Sequence, residues 1–150
     1  MSLEFDIEAI NAAWAEDCSI NELDLVGSIR NVPKLHAKWI GTLSLAKLRL
    51  RVHQSKYNNL RQLKFKYYRG EMTKDELDKL GWPQWQGLKP LRSDMSEFLQ
   101  GDPDLTKFED KIAYMEVVVS TVEAIVRSIN SRGYDLKTML EAKKFYNGGN

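Results

Sequence analysis

Trp39, Leu43, Ala46, Leu50, His53, Tyr57, Leu60 and Tyr67 recur in alternating steps of four and three, and Lys64 is the one ionic residue in the series. Only a long helix with a coiled-coil seam places that spacing on one face. The same stretch is the cationic part of the chain. Between Leu25 and Gly70 there are eleven Lys or Arg residues and no Asp or Glu. The overall charge of +1 hides this, because residues 1–24 carry seven acids and no base, and residues 71–150 carry fourteen acids against eleven bases.

With 150 residues, 43% of them apolar, the chain is long enough to bury a core as one helical domain, 1–150. Ser2 is placed to cap an acidic first helix (1–18) with Ile7, Ile10 and Trp14 inward. Ser19-Ile20-Asn21-Glu22 has capping-box form, so a second helix is expected from Asn21, within a basic arm over 20–69. Pro33 lacks an N–H, which predicts a break at Asn31 and Val32 before a long helix running to about Tyr68. Thr73-Lys74-Asp75-Glu76 is a second capping box, closed by Gly81, and opens a connector and second heptad helix over 73–131. Pro90 is expected to start a helix with Leu91, Met95, Phe98 and Leu99 inward. Gly101-Asp102-Pro103 marks a stop and restart ahead of Leu105, Phe108, Ile112, Met115, Val119, Val122, Val126 and Ile129, the cleanest heptad in the chain. Gly133 is expected to end it and Asp135 to cap a last helix over 135–146. The fold class is therefore all-α: a long-helix hairpin with short flanking helices, assembling as a helical homo-oligomer.

Several functions are disfavoured. No apolar run spans a membrane and the amino terminus is acidic, which implies an intracellular protein, no membrane partner and no signal peptide. Cys18 is the single cysteine and reads as a filler thiol. His36 and His53 lie 17 positions apart along one helix and cannot share a metal within a subunit. Phosphate-loop, zinc-protease and nucleophile-elbow motifs are missing, so no catalytic residue, metal or cofactor is assigned. Trp82 and Trp85 read as a plug for one end of the core.

What remains is the charge. Lys47, Arg49, Lys56 and Arg61 flank the first seam and can answer Glu109, Glu116 and Glu123 beside the second. Lys34, Lys38, Arg51, Lys66 and Arg69 fall outside it, where no acid of the same helix is in reach. Uncompensated cations on a helix invite a polyanion. Trp39, Tyr57, Phe65, Tyr67 and Tyr68 interleave them. Trp39, Tyr57 and Tyr67 sit on the seam, which leaves Phe65 and Tyr68 freer to stack on unpaired bases. No duplex-reading motif is present.

Three blocks resemble the phage recombination mediator family UvsY: Ile20 to Trp39, ending Leu35-His36-Ala37-Lys38-Trp39; Leu63-Lys64-Phe65-Lys66-Tyr67-Tyr68-Arg69-Gly70; and Ile129-Asn130-Ser131-Arg132-Gly133-Tyr134-Asp135-Leu136-Lys137, continuing to Lys144-Phe145. Their order and separation agree over roughly residues 17–149. The resemblance implies a non-enzymatic cytoplasmic protein of the infected bacterial host, assembled as a ring-like hexamer or heptamer. It implies binding to single-stranded DNA and help for a RecA-like phage recombinase in replacing single-strand-binding protein. The family's basic motif, Leu-Lys-x-Arg-x-x-Tyr-Tyr, has Lys64 here at the arginine place and Gln62 at the lysine place, with Arg61 beside it. Charge pattern and resemblance together nominate Lys34, Lys38, Arg51, Arg61, Lys64, Lys66, Tyr68 and Arg69 for DNA. The carboxy-terminal segment, with Leu136, Met139, Leu140 and Phe145, is implied in assembly. The competing expectation is a structural coiled coil whose bases serve only glutamates.

Overall fold

A computed structural model describes residues 5–148. It is all-α, with helices α1 (Ile7–Asp17), α2 (Leu25–Tyr68), α3 (Lys74–Leu80), α4 (Met95–Gln100) and α5 (Pro103–Gly148), and with no strand among the described residues. The chain divides into two compact units, one formed by the chain up to Arg49 and from Met115 onward, the other by Leu50–Tyr114. Each contains part of α2 and part of α5.

In the first unit Trp39 and Ala46 of α2 and Val118, Val122, Ile129 and Leu136 of α5 are at most 2% exposed. Fully burying one such aliphatic side chain contributes about 1.5–3 kcal/mol. α1 adds Ile10, and Trp14 meets Trp39 edge to face at 6.0 Å. Val118 and Ile125 are buried beside the expected heptad positions Val119 and Val126, so the apolar face of α5 is wider than a two-residue seam.

The second unit is aromatic. Tyr68, Met95, Leu99 and Leu105 form its buried cluster, with Tyr57, Leu60, Phe65, Tyr67, Trp85 and Phe98 packed around it. Trp85 stands perpendicular to Tyr68 at 4.9 Å, and Trp82 lies 5.4 Å from Tyr67. Thr73 Oγ1 accepts the Glu76 N–H and opens α3, and Gly81, in the left-handed region at φ 69°, closes it.

Several boundaries differ from the sequence expectation. The proposed Ser2 cap lies outside the described residues, and Asp6 caps α1 by accepting the N–H groups of Glu8 and Ala9. α2 begins at Leu25, not Asn21, and its cap is Asp24, whose Oδ1 accepts the Gly27 N–H at 2.9 Å. The chain around Ser19 is not helical because the carbonyls of Asp17, Cys18 and Ser19 converge on the Arg132 guanidinium. No break occurs at Asn31 and Val32. Pro33 is inside α2 on its exposed side, where water can reach the carbonyl it leaves unbonded, and buried Leu25, Leu35 and Trp39 hold the helix on both sides. Gly133 likewise does not end α5, and Asp135 is no cap. Ile129, Arg132 and Leu136, all buried, anchor α5 across the glycine. The helix expected from Pro90 starts only at Met95, so Leu91 is exposed instead of inward.

Candidate nucleic-acid interface

The acid-free stretch of α2 separates into two kinds of cation. Lys38, Lys47, Lys64, Lys66 and Arg69 each meet a carboxylate supplied by another part of the chain. Arg30, Lys34, Arg49, Arg51, Lys56 and Arg61 are exposed and form no ion pair among the described residues. The expectation that Lys38, Lys66 and Arg69 go uncompensated is therefore corrected. Their partners, Asp17, Glu76 and Glu71, lie off the helix, where helical spacing does not reveal them.

Four of the five are at the surface, Lys47 with Glu123 and the three pairs of Lys38, Lys66 and Arg69. Lys38 Nζ is 2.6 Å from Asp17 Oδ2, which also accepts the Trp39 indole N–H at 2.9 Å. Lys66 meets Glu76 at 3.3 Å, and Arg69 Nε donates to Glu71 Oε1 at 2.8 Å. The hydrogen bond from Lys66 holds the Glu76 carboxyl below its ordinary range. The three cationic side chains keep 40–52% of their surface exposed. Exposed pairs contribute only about 0–1 kcal/mol, so a phosphate can replace the carboxylate at little cost.

Lys64 is different in kind. Its side chain is 8% exposed, and its ammonium lies 3.1 Å from Asp102 Oδ2 and 2.8 Å from Asp104 Oδ2. The Trp82 ring centroid lies 4.4 Å from the same ammonium. Asp102, only 1% exposed, uses both oxygens: Oδ1 accepts the N–H groups of Asp104 and Leu105 and so caps α5, while Oδ2 accepts the Tyr68 hydroxyl at 2.6 Å. Burial pulls the Lys64 ammonium down, but hydrogen bonds to Asp104 and Asp102 and their charges outweigh it, and the net shift is up. Burial pushes the Asp102 carboxyl up, but the bonds from Tyr68, Leu105 and Lys64 carry it below its ordinary value. Tyr68 is raised, first by burial and then by its bond to Asp102.

One ammonium against two carboxylates leaves this network with a formal charge of −1, which repels phosphate. Tyr68, expected to be the freer ring, is 8% exposed and has its hydroxyl committed. Phe65 is half-buried. Of the eight nominated DNA residues, Lys34, Arg51 and Arg61 are open to solvent, Lys38, Lys66 and Arg69 are in exchangeable surface pairs, and Lys64 and Tyr68 are in the core.

Asp102 is the residue the sequence reading passed over as a functional centre. Its signals were there: Asp-Pro directly before a heptad helix is an N-cap, and a lysine in an apolar seam requires a buried carboxylate. Tyr57, also a seam residue, donates to Glu109 at 2.9 Å, and Lys47 reaches Glu123 at 3.5 Å. Lys47–Glu123 is the one ion pair, among the described residues, between the flank rows expected to match.

At the carboxy-terminal end of α5 the nominated assembly residues separate too. Leu136 is fully buried within this chain, Met139 and Leu140 are half-buried, and Phe145 is 77% exposed. Met139 lines an open groove of about 410 Å³ with Leu23 and Leu25, and Leu140 lines one of about 560 Å³ with Leu23 and Val26. Leu23 is 91% exposed. Among the described residues no helix is long and apolar enough to cross a membrane, and no group of three His, Cys, Asp or Glu could hold a metal ion.

The family model for the recombination, repair and single-stranded-DNA-binding protein UvsY matches residues 13–149. No curated protein sequence matches the chain. Among solved structures, crystal forms of the bacteriophage T4 recombination mediator protein UvsY share its fold. Lattice type II superposes with a TM-score of 0.81 at 21% identity, covering 99% of each chain. Lattice type I gives 0.80 at 20% identity over 92% of this chain and 98% of that one, and lattice type IV gives 0.81 at 20% over 97% and 99%.

Proposed function

The chain belongs to the UvsY family of recombination, repair and single-stranded-DNA-binding proteins, and from that premise we propose that it is a non-enzymatic recombination mediator. It holds single-stranded DNA and promotes loading of a RecA-like phage recombinase in place of single-strand-binding protein, in the cytoplasm of the infected host. The observation that carries this reading is the set of solvent-facing α2 cations. Lys34, Arg51 and Arg61 form no ion pair among the described residues, while Lys38, Lys66 and Arg69 are held by carboxylates at the surface. Lys64 and Tyr68 serve the site by fixing the end of α2, not by touching the strand.

Mediation requires a strand that is held yet transferable. Several moderate contacts, multiplied over a homo-oligomer such as a ring-like hexamer or heptamer, supply avidity without one irreversible site. Met139, Leu140 and Phe145 are the carboxy-terminal residues with surface left for assembly. Leu136 contributes through the protomer core.

The test is a titration of labelled oligo-dT at several salt concentrations, with sizing of the same samples. If each subunit neutralises about four phosphates, log affinity against log salt has a slope near −3, at ~0.7 per single-strand phosphate. Replacing Arg51, Arg61 and Lys66 together by Gln flattens the slope by about 2 with helical content kept; an unchanged slope removes these residues from the interface. The structural coiled-coil reading draws support from the five α2 bases already paired within the chain. It predicts no salt-dependent binding at all.

A further inference from the structure

The end of α2 borders a cleft that the reading above leaves unused. It has a volume of about 310 Å³ and is lined by Arg69, Glu71, Lys89, Pro90, Leu91 and Arg92. Resting on the single-strand reading, we propose that this cleft is a phosphodiester subsite for single-stranded DNA, with Glu71 standing in for the phosphate on Arg69 in the free protein.

Its walls are built by local chemistry. α2 ends in a Schellman turn: Glu71 N–H donates to Lys66 O at 3.0 Å and Gly70 N–H to Tyr67 O at 3.0 Å, with Gly70 at φ 68°. That turn swings Glu71 back onto Arg69. A Cβ at Gly70 would stand 3.1 Å from Lys89 Cε, so the lysine crosses directly over the glycine. The opposite wall is stiff. Pro90 fixes its own φ and keeps Lys89 extended. Just upstream, Trp85 donates its indole N–H to Leu88 O at 3.2 Å while its ring closes against Gly87, where a Cβ would come within 2.3 Å. Lys89 and Arg92 are exposed and form no ion pair among the described residues.

The charge balance favours an anion. Three cations face one carboxylate, and the carboxyl end of α2 adds about half a negative charge. The cleft is left near +1.5. Two guanidinium groups and an ammonium lining one cleft suit a tetrahedral phosphate, whose oxygens accept from several directions at once. Exposed Leu91 offers an apolar rim for the sugar.

Two variants with opposite signs test the proposal in the full-length protein, with labelled oligo-dT as probe. The double variant K89Q/R92Q lowers the salt slope by about 0.7, the equivalent of one phosphate. The E71Q variant releases Arg69 and raises affinity on the order of threefold, the scale of one exposed ion pair. All three substitutions are at the surface, and circular dichroism checks that the helices persist. Wild-type slope and affinity in K89Q/R92Q, or weaker binding in E71Q, overturn the cleft while leaving the single-strand reading standing. Absence of oligo-dT binding by the wild-type protein at any salt overturns that reading first. A cleft selecting carboxylates would lose poly-glutamate binding in K89Q/R92Q and keep oligo-dT, and that outcome also overturns the proposal.

Discussion

Each unit of the molecule buries one cation, and the two are accommodated in opposite ways. In the unit containing the chain ends, Arg132 is 9% exposed and donates to the backbone carbonyls of Cys18 and Ser19 at 2.9 Å and of Asp17 at 3.5 Å, while its Nε has no partner among the described residues. In the other unit Lys64 meets two carboxylates. Carbonyl dipoles orient a charge without cancelling it, so Arg132 fastens the loop after α1 and keeps its full charge. Carboxylates cancel the charge and exceed it. The helical position of a lysine therefore does not determine whether its charge is left open to solvent, and Lys64 and Lys66, two residues apart, are respectively buried between two carboxylates and held in one surface pair.

The largest effect expected is at Lys64. Lys64→Met leaves the Asp102 carboxylate buried without its counter-charge and should cost about 3–5 kcal/mol, whereas adding Asp102→Asn should recover much of it, since the asparagine oxygen still caps α5 while its amide N–H donates to the Tyr68 hydroxyl oxygen. Denaturant midpoints measure both. pH provides a second check. Asp102 has a lowered folded pKa, so its contribution is full above the unfolded value near 3.9 and is lost as pH falls through the folded value; Lys64 has a raised one, so its contribution is full below about 10.4 and is lost as pH rises past the folded value. Between those limits the network adds a constant term. Asp102→Asn should flatten the acid limb of Tm against pH and leave the neutral region level. A steep slope across pH 6–8 traced to this pair would contradict the arrangement.

A smaller loss is expected in the other unit. Arg132→Met removes the donors to three carbonyls but strands no charge, so the cost is about 1–3 kcal/mol. It should show as faster hydrogen exchange through α1 and the residues up to Asp24. If Arg132→Met proves as costly as Lys64→Met, the distinction between a carbonyl cage and a carboxylate pair fails.

The same contrast explains what the sequence made legible. The α3 capping box, the Gly81 stop and the Asp102-Pro103 start are local chemistry within four or five residues, and each formed where expected. The acid-free run on a long helix was also plain. The partners of its cations were not, because Asp17 is 21 residues from Lys38, Asp104 is 40 from Lys64, and Glu76 belongs to another helix. Tyr68 looked free for the same reason: the carboxylate that claims its hydroxyl is 34 residues on. Pro33 and Gly133 were read as breaks because propensity is local, whereas the buried residues on either side that override it are tertiary.

Glycine offers the smallest and sharpest version of the comparison. Gly133 sits inside α5 without a positive φ, and a Cβ there would meet nothing within 4 Å. Nothing in the surrounding chain requires glycine, so Gly133→Ala should stabilise the first unit by about 0.5–1 kcal/mol through the unfolded chain's lost freedom. Gly70 is at φ 68° with Lys89 Cε 3.1 Å from its would-be Cβ. Gly70→Ala should destabilise the second unit by about 1–2 kcal/mol and, by pushing Lys89 aside, weaken oligo-dT binding as well. Paired melting curves read the two signs directly. If Gly133→Ala were instead to lower Tm, or to abolish the self-assembly proposed above, a second copy of the chain would have to approach α5 closely at that point, and the glycine would be serving assembly where its own chain leaves open space.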